Sequence, residues 1–115
     1  MDKRELKVGD HVKEQFVRQA LESVFEEIVR ARQKFPDWPL DPLHAIAILN
    51  EEVGELNQEL LESVYKHEDP RRNEVAAEAI QVAAMAVEFL LALPIYDFKR
   101  AHQSSRDQLT SIKGD

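Results

Sequence analysis

Cysteine is absent from this chain of 115 residues. That excludes disulfides, thiolate nucleophiles and thiolate metal ligands. An excess of basic charge is also absent: 22 acidic against 15 basic residues leave a formal net charge of −7. A duplex phosphate backbone needs a basic face, so general nucleic-acid binding is not expected. No long apolar run is clean. The longest, Ala79 to Ile95, is interrupted by Gln81 and Glu88 and falls short of a membrane span, so no membrane partner is expected. The opening Met1-Asp2-Lys3-Arg4-Glu5 has no apolar core and does not read as a secretory signal. Cytoplasm is the default location. Strand-like alternation and internal repeats are missing too.

What is there is an ordinary globular balance, 43% hydrophobic and 32% charged, at a length that predicts one domain over residues 1–115. Residues 1–9 read as a loose, polar lead-in, and Asp10 as a possible cap. Val12, Phe16, Ala20, Val24, Ile28, Ala31 and Phe35 then recur every three or four residues, the mark of a long amphipathic helix. Three prolines between Phe35 and Pro42 force a stiff connection. Asp41-Pro42 reads as a cap followed by a first-turn proline. The second helix carries Leu43, Ile46, Leu49, Val53, Leu56, Leu60 and Val64 to about His67. Asp69-Pro70 repeats the capping device and predicts a third helix that Pro94 stops. Residues 94–115 suggest a shorter, more polar fourth helix.

Helices of about two dozen residues, roughly 36 Å long, joined by short links predict an all-α antiparallel bundle of about four helices. The third helix is apolar nearly all round, from Val75 to Leu91. One small bundle can hardly bury it all, which predicts a homodimer or homotetramer.

The second helix holds Asn50-Glu51-Glu52-Val53-Gly54-Glu55. Residues three and four apart share a face, so Glu52 and Glu55 point one way, as do Glu51 and Glu55. Like charges so placed repel, and a hard divalent cation with oxygen ligands relieves them. Reflecting the third helix onto the second about Asp69 brings Glu52, Glu55, Glu78 and Gln81 into one neighbourhood, level to about one turn, with Glu59 at its edge. Carboxylates plus an amide oxygen suit Mg²⁺, or Mn²⁺, better than zinc. No histidine follows a glutamate by three, which sets aside a bundle di-iron site. The plainer reading is a solvated acidic face. Gly54, costly in a helix by roughly 1 kcal/mol, and Glu78, set among alanines, argue for a site, or equally for close helix packing and a buried salt bridge.

Glu52-Val-Gly-Glu55-Leu followed by Glu78-Ala-Ile-Gln81-Val-Ala-Ala resembles the paired ExxE and ExxD motifs of the all-α MazG-like nucleoside triphosphate pyrophosphohydrolases, relatives of the dCTP pyrophosphatases and dimeric dUTPases. The likeness runs from about Trp38 to Leu93. It implies an oligomeric enzyme that uses Mg²⁺ to hydrolyse a nucleoside triphosphate to the monophosphate and pyrophosphate. Glu52, Glu55 and Glu78 match the metal carboxylates. Gln81 stands where the motif has Asp. It keeps an oxygen ligand but removes one charge and cannot act as a base, so metal should bind more weakly, or Glu51, Glu59 or Glu74 should substitute. Glu51 or Glu55 is the candidate to orient or deprotonate a water.

Further residues carry two readings each. Trp38 is placed to stack on a base or to plug the end of the bundle. His44, two turns before Glu51, lines the pocket or is simply satisfied in place. Lys66, Arg71 and Arg72 cluster at the turn into the third helix, where they bind phosphate or stand as exposed loop charges. Met85 reads as core. Two rivals to the enzyme stand: a relative that binds nucleotides without catalysis, favoured by Gln81, and a helical interaction module, favoured by the alanine-rich third helix.

Overall fold

The computed structural model of the chain describes Gly9, residues 13–66 and residues 68–98. Its described residues hold three long helices and no strand, α1 Glu14–Lys34, α2 Pro42–Tyr65 and α3 Arg72–Ala92, followed by a single 3₁₀ turn at Leu93–Ile95. The proposed cap at Asp10, the lead-in but for Gly9, and nearly all of the fourth helix lie outside the described residues.

The prolines set the breaks. α1 ends at Lys34, before Phe35-Pro36, because a residue preceding proline is pushed out of the helical region. α2 opens as its sequence predicts: the Asp41 carboxylate accepts a hydrogen bond from the Leu43 N–H at 2.9 Å, and Pro42 takes the first helical position. The device does not repeat at Asp69-Pro70. α3 begins at Arg72 with no side-chain cap. The Arg71 N–H donates instead to the buried Ser63 Oγ at 2.7 Å, so the tie at this turn comes from the end of α2.

α3 is the central helix, and both α1 and α2 pack on it. α2 and α3 form an antiparallel hairpin, with Ser63 beside Arg71 at one end and Ala45 clustered with Ala92 and Tyr96 at the other. α1 is fastened to α3 by Arg32, whose guanidinium donates to the Glu88 carboxylate at 2.7 and 3.2 Å. Glu88 is nearly fully buried. A charge so placed needs a partner, and Arg32 supplies it while keeping half its own side chain in water.

The far end of the hairpin is closed by aromatic residues. The Trp38 Nε1–H donates to the Tyr96 hydroxyl at 2.8 Å. Phe89 packs on Tyr96 with ring centroids 5.2 Å apart, and the Asp97 N–H donates to the Leu40 carbonyl at 3.0 Å. These bonds tie the proline-rich link to the end of α3.

Little else is buried. Among the described residues the buried hydrophobic positions are Ala45, Ala84, Ala92 and Tyr96, and no large side chain is fully enclosed. Arg72–Ile95 is long and apolar enough to cross a membrane by length and composition alone. It also carries Glu74, Glu78 and Glu88 and has two helices packed on it.

Candidate metal centre

The middle of the α2–α3 hairpin is where the carboxylates meet. One oxygen each from Glu52, Glu55 and Glu78 lies within 4.8 Å of the other two. Glu52 and Glu55 come from successive turns of α2, and Glu78 reaches across from α3. The hairpin register explains the meeting. Ser63 lies by Arg71 and Glu59 by Arg71 and Glu74, so the chain reflects about the turn near Lys66 rather than about Asp69. The shift is four residues, about one turn, and brings Glu55, rather than Glu59, level with Glu78.

The electrostatics of the trio are unfavourable as they stand. Burial pushes the Glu52 carboxyl up to about 7, and the charges of Glu55, Glu78 and Glu51 and a hydrogen bond with Glu55 add to the rise. Buried oxygens of Glu52 and Glu78 have no hydrogen-bond partner among the described residues. A buried Glu59 oxygen also lacks a hydrogen bond, but it lies 3.3 Å from an Arg71 nitrogen, so its charge is balanced. Glu52 and Glu78 are thus the groups whose oxygens lack compensation, and they point into the same cluster. Oxygen donors from three carboxylates, two of them with orphaned buried atoms, fit a hard divalent cation.

The pH dependence has a definite sign. An ordinary glutamate titrates at about 4.3, so between about 4.5 and 7 the folded state holds a proton on Glu52 that the unfolded state releases. Stability therefore falls as pH rises through that window. In a chelator, the melting temperature should be higher at pH 5.5 than at pH 8, and Glu52→Gln should flatten the difference. A melting temperature that rises steadily from pH 5.5 to 8 would contradict the arrangement.

The remaining candidates are spread along the hairpin. Glu51 is exposed beside the trio, and its charge reaches Glu52. Gln81 is half-buried one turn beyond Glu78 on the same side of α3. Arg71 pairs with Glu59 at 3.3 Å and approaches Glu74 at 3.9 Å, which puts one cation a single α2 turn from Glu55. Lys66 and Arg72 are exposed and line two other surface hollows. Trp38 lies in the aromatic end cluster, where the plug reading puts it, and His44 is exposed in the first turn of α2. Met85 is half-buried. Gly54 marks no close packing among the described residues: a Cβ there would meet nothing of them within 4 Å.

The ion pairs Arg32–Glu88 and Arg71–Glu59 were not foreseen. A signal for the first existed, since Glu88 is a lone charge in the apolar run of α3 and needed a cation. Compared with protein-family models, curated proteins and solved structures, the chain matches none. The functional reading therefore rests on its residues.

Proposed function

We propose that the chain is a Mg²⁺-dependent nucleoside triphosphate pyrophosphohydrolase, releasing the monophosphate and pyrophosphate. The observation that carries this is the meeting of Glu52, Glu55 and Glu78 within 4.8 Å, with uncompensated buried oxygens on two of them. The likeness of their motifs to the MazG-like enzymes supports the choice of reaction. Mn²⁺ is an alternative ion with the same donor preference.

In this reading Glu52, Glu55 and Glu78 hold the cation, and the Gln81 amide oxygen is a weaker fourth donor. A bound divalent ion neutralises phosphate charge and lowers the pKa of water. Phosphoryl transfer needs positioning and charge neutralisation more than covalent help. Glu51 or Glu55 takes the proton of the water that attacks the α-phosphorus as the bond to the β-phosphate oxygen breaks. Arg71, already turned toward the acidic cluster, is the nearest of the basic candidates for the phosphate chain. Exposed Lys66 and Arg72 are further candidates for it, and Trp38 and His44 for the base and pocket. A cytoplasmic location is part of the same proposal.

A second reading follows from Gln81. Its neutral side chain leaves the cation less compensated than the motif's Asp would, and a protein that binds nucleotides without turning them over has the same carboxylates. A panel of nucleoside triphosphates with Mg²⁺, assayed for pyrophosphate and orthophosphate separately, decides between them. Pyrophosphate with at least one substrate supports the enzyme. Metal-dependent nucleotide binding without either product supports the second reading, and neither binding nor product contradicts both.

A further inference from the structure

Between the acidic trio and the turn of the hairpin, Arg71 is flanked by two carboxylates that hold it unequally. Its Nη1 lies 3.3 Å from Glu59 Oε1, and its Nε lies 3.9 Å from Glu74 Oε2. The Glu59 side chain is 18% exposed and the Glu74 side chain 50%. The Glu59 oxygen that faces Arg71 is buried and accepts no hydrogen bond among the described residues. A charge so desolvated needs the guanidinium beside it. Glu74 is half in water and can exchange Arg71 for water with little loss. The Arg71 backbone is fixed as well, since its N–H donates to the buried Ser63 hydroxyl at 2.7 Å. Glu59 and Ser63 anchor Arg71; Glu74 touches it loosely.

This group sits at a set distance from the trio. Glu59 follows Glu55 by one turn of α2, and Glu74 precedes Glu78 by one turn of α3. The guanidinium therefore lies about 5.4 Å along the hairpin from the three carboxylates. A triphosphate chain covers such a span between its first and its terminal phosphorus. With the first phosphate at Glu52, Glu55 and Glu78, a diphosphate ends short of Arg71 and a triphosphate reaches it.

Building on the pyrophosphohydrolase reading, we propose that Glu74 holds the place of the terminal phosphate at Arg71 until substrate arrives, and that Arg71 selects triphosphates over diphosphates. A guanidinium presents paired, planar donors to phosphate oxygens, and a terminal phosphate brings more charge than the carboxylate it displaces. Glu74 moves out into water and Glu59 stays. Arg71 touches the substrate and reads its length, Glu59 and Ser63 are positioning residues, and Glu74 is a competitor. A purely structural ion-pair network has no such asymmetry: it loses stability when either carboxylate goes and is indifferent to phosphate length.

Calorimetric titration of the Mg²⁺-loaded chain with inorganic triphosphate and with pyrophosphate, neither of which carries a base, reads the difference. The parent should bind triphosphate on the order of 10-fold more tightly than pyrophosphate, and Arg71→Gln should bring the two close together. Glu74→Gln should raise triphosphate affinity roughly threefold and leave pyrophosphate unchanged. Glu59→Gln should lower triphosphate affinity, although it too removes a negative charge. Loss of any nearby carboxylate reduces repulsion of an anion, so the double variant is the deciding comparison. With Arg71→Gln already present, Glu74→Gln should give no gain, because no guanidinium remains to be released. The parent and Glu74→Gln, an exposed position, read the proposal even where Glu59→Gln or Arg71→Gln folds poorly. Equal binding of triphosphate and pyrophosphate by the parent, or a gain from Glu74→Gln that persists without Arg71, would overturn the proposal and leave the metal centre standing. A parent that binds neither Mg²⁺ nor triphosphate overturns both.

Discussion

Glu55→Gln should abolish Mg²⁺-dependent pyrophosphate release, lowering it on the order of 100-fold or more, and should abolish the rise in melting temperature that Mg²⁺ produces in the parent. The substitution keeps the side chain's size and one oxygen but removes the charge nearest Glu52. Glu55 is exposed, so no packing is lost. In the absence of metal the variant should be as stable as the parent, or more so, because repulsion with Glu52 and Glu78 is relieved. A metal centre and a merely solvated acidic face predict different results. The face alone gives a more stable protein with an unchanged response to Mg²⁺. The centre gives a protein whose stability no longer responds. Melting curves at millimolar Mg²⁺, with and without a nucleoside triphosphate, separate the two.

Gln81→Asp is the second large effect. It restores the acidic fourth position of the resembling motif and adds one carboxylate near Glu78. If a cation is held there, the new charge is compensated by it: Mg²⁺ affinity rises and pyrophosphate release increases or appears. If the carboxylates form only a packed face, a further half-buried charge destabilises the hairpin by about 1–3 kcal/mol, and Mg²⁺ does not restore it. Calorimetric Mg²⁺ titration paired with melting curves reads both results. Destabilisation without rescue would remove Gln81 from the site and weaken the enzymatic reading with it.

The helices were legible because their signals are local. The period of Phe16 to Ala31, the prolines from Pro36 to Pro42 and the Asp41 cap act within a few residues of themselves, and the structure agrees with each. The carboxylate neighbourhood was legible for a related reason: Glu52 and Glu55 share a helix face by spacing alone, and a short turn must return Glu78 alongside. What escaped depends on partners distant in sequence. Arg32 finds Glu88 across 56 positions, and Trp38 finds Tyr96 across 58. The Asp69-Pro70 signal misled because a buried hydroxyl, Ser63, met the Arg71 N–H and α3 began two residues after the proline. The place of α3 between the other two helices was likewise invisible to periodicity, since a helix apolar on nearly every side gives no direction to its neighbours.

The most direct measurement of the central claim is a count of bound ions: electron paramagnetic resonance of Mn²⁺ titrated into the chain at pH 8, where Glu52 is ionised, and into the Glu55→Gln variant. The expected result is saturable loss of the free-ion signal in the parent, displaced by excess Mg²⁺, and little or no loss in the variant. A free-ion signal that grows in proportion to added Mn²⁺ in the parent, or an equal loss in both proteins, would contradict a cation centre at Glu52, Glu55 and Glu78.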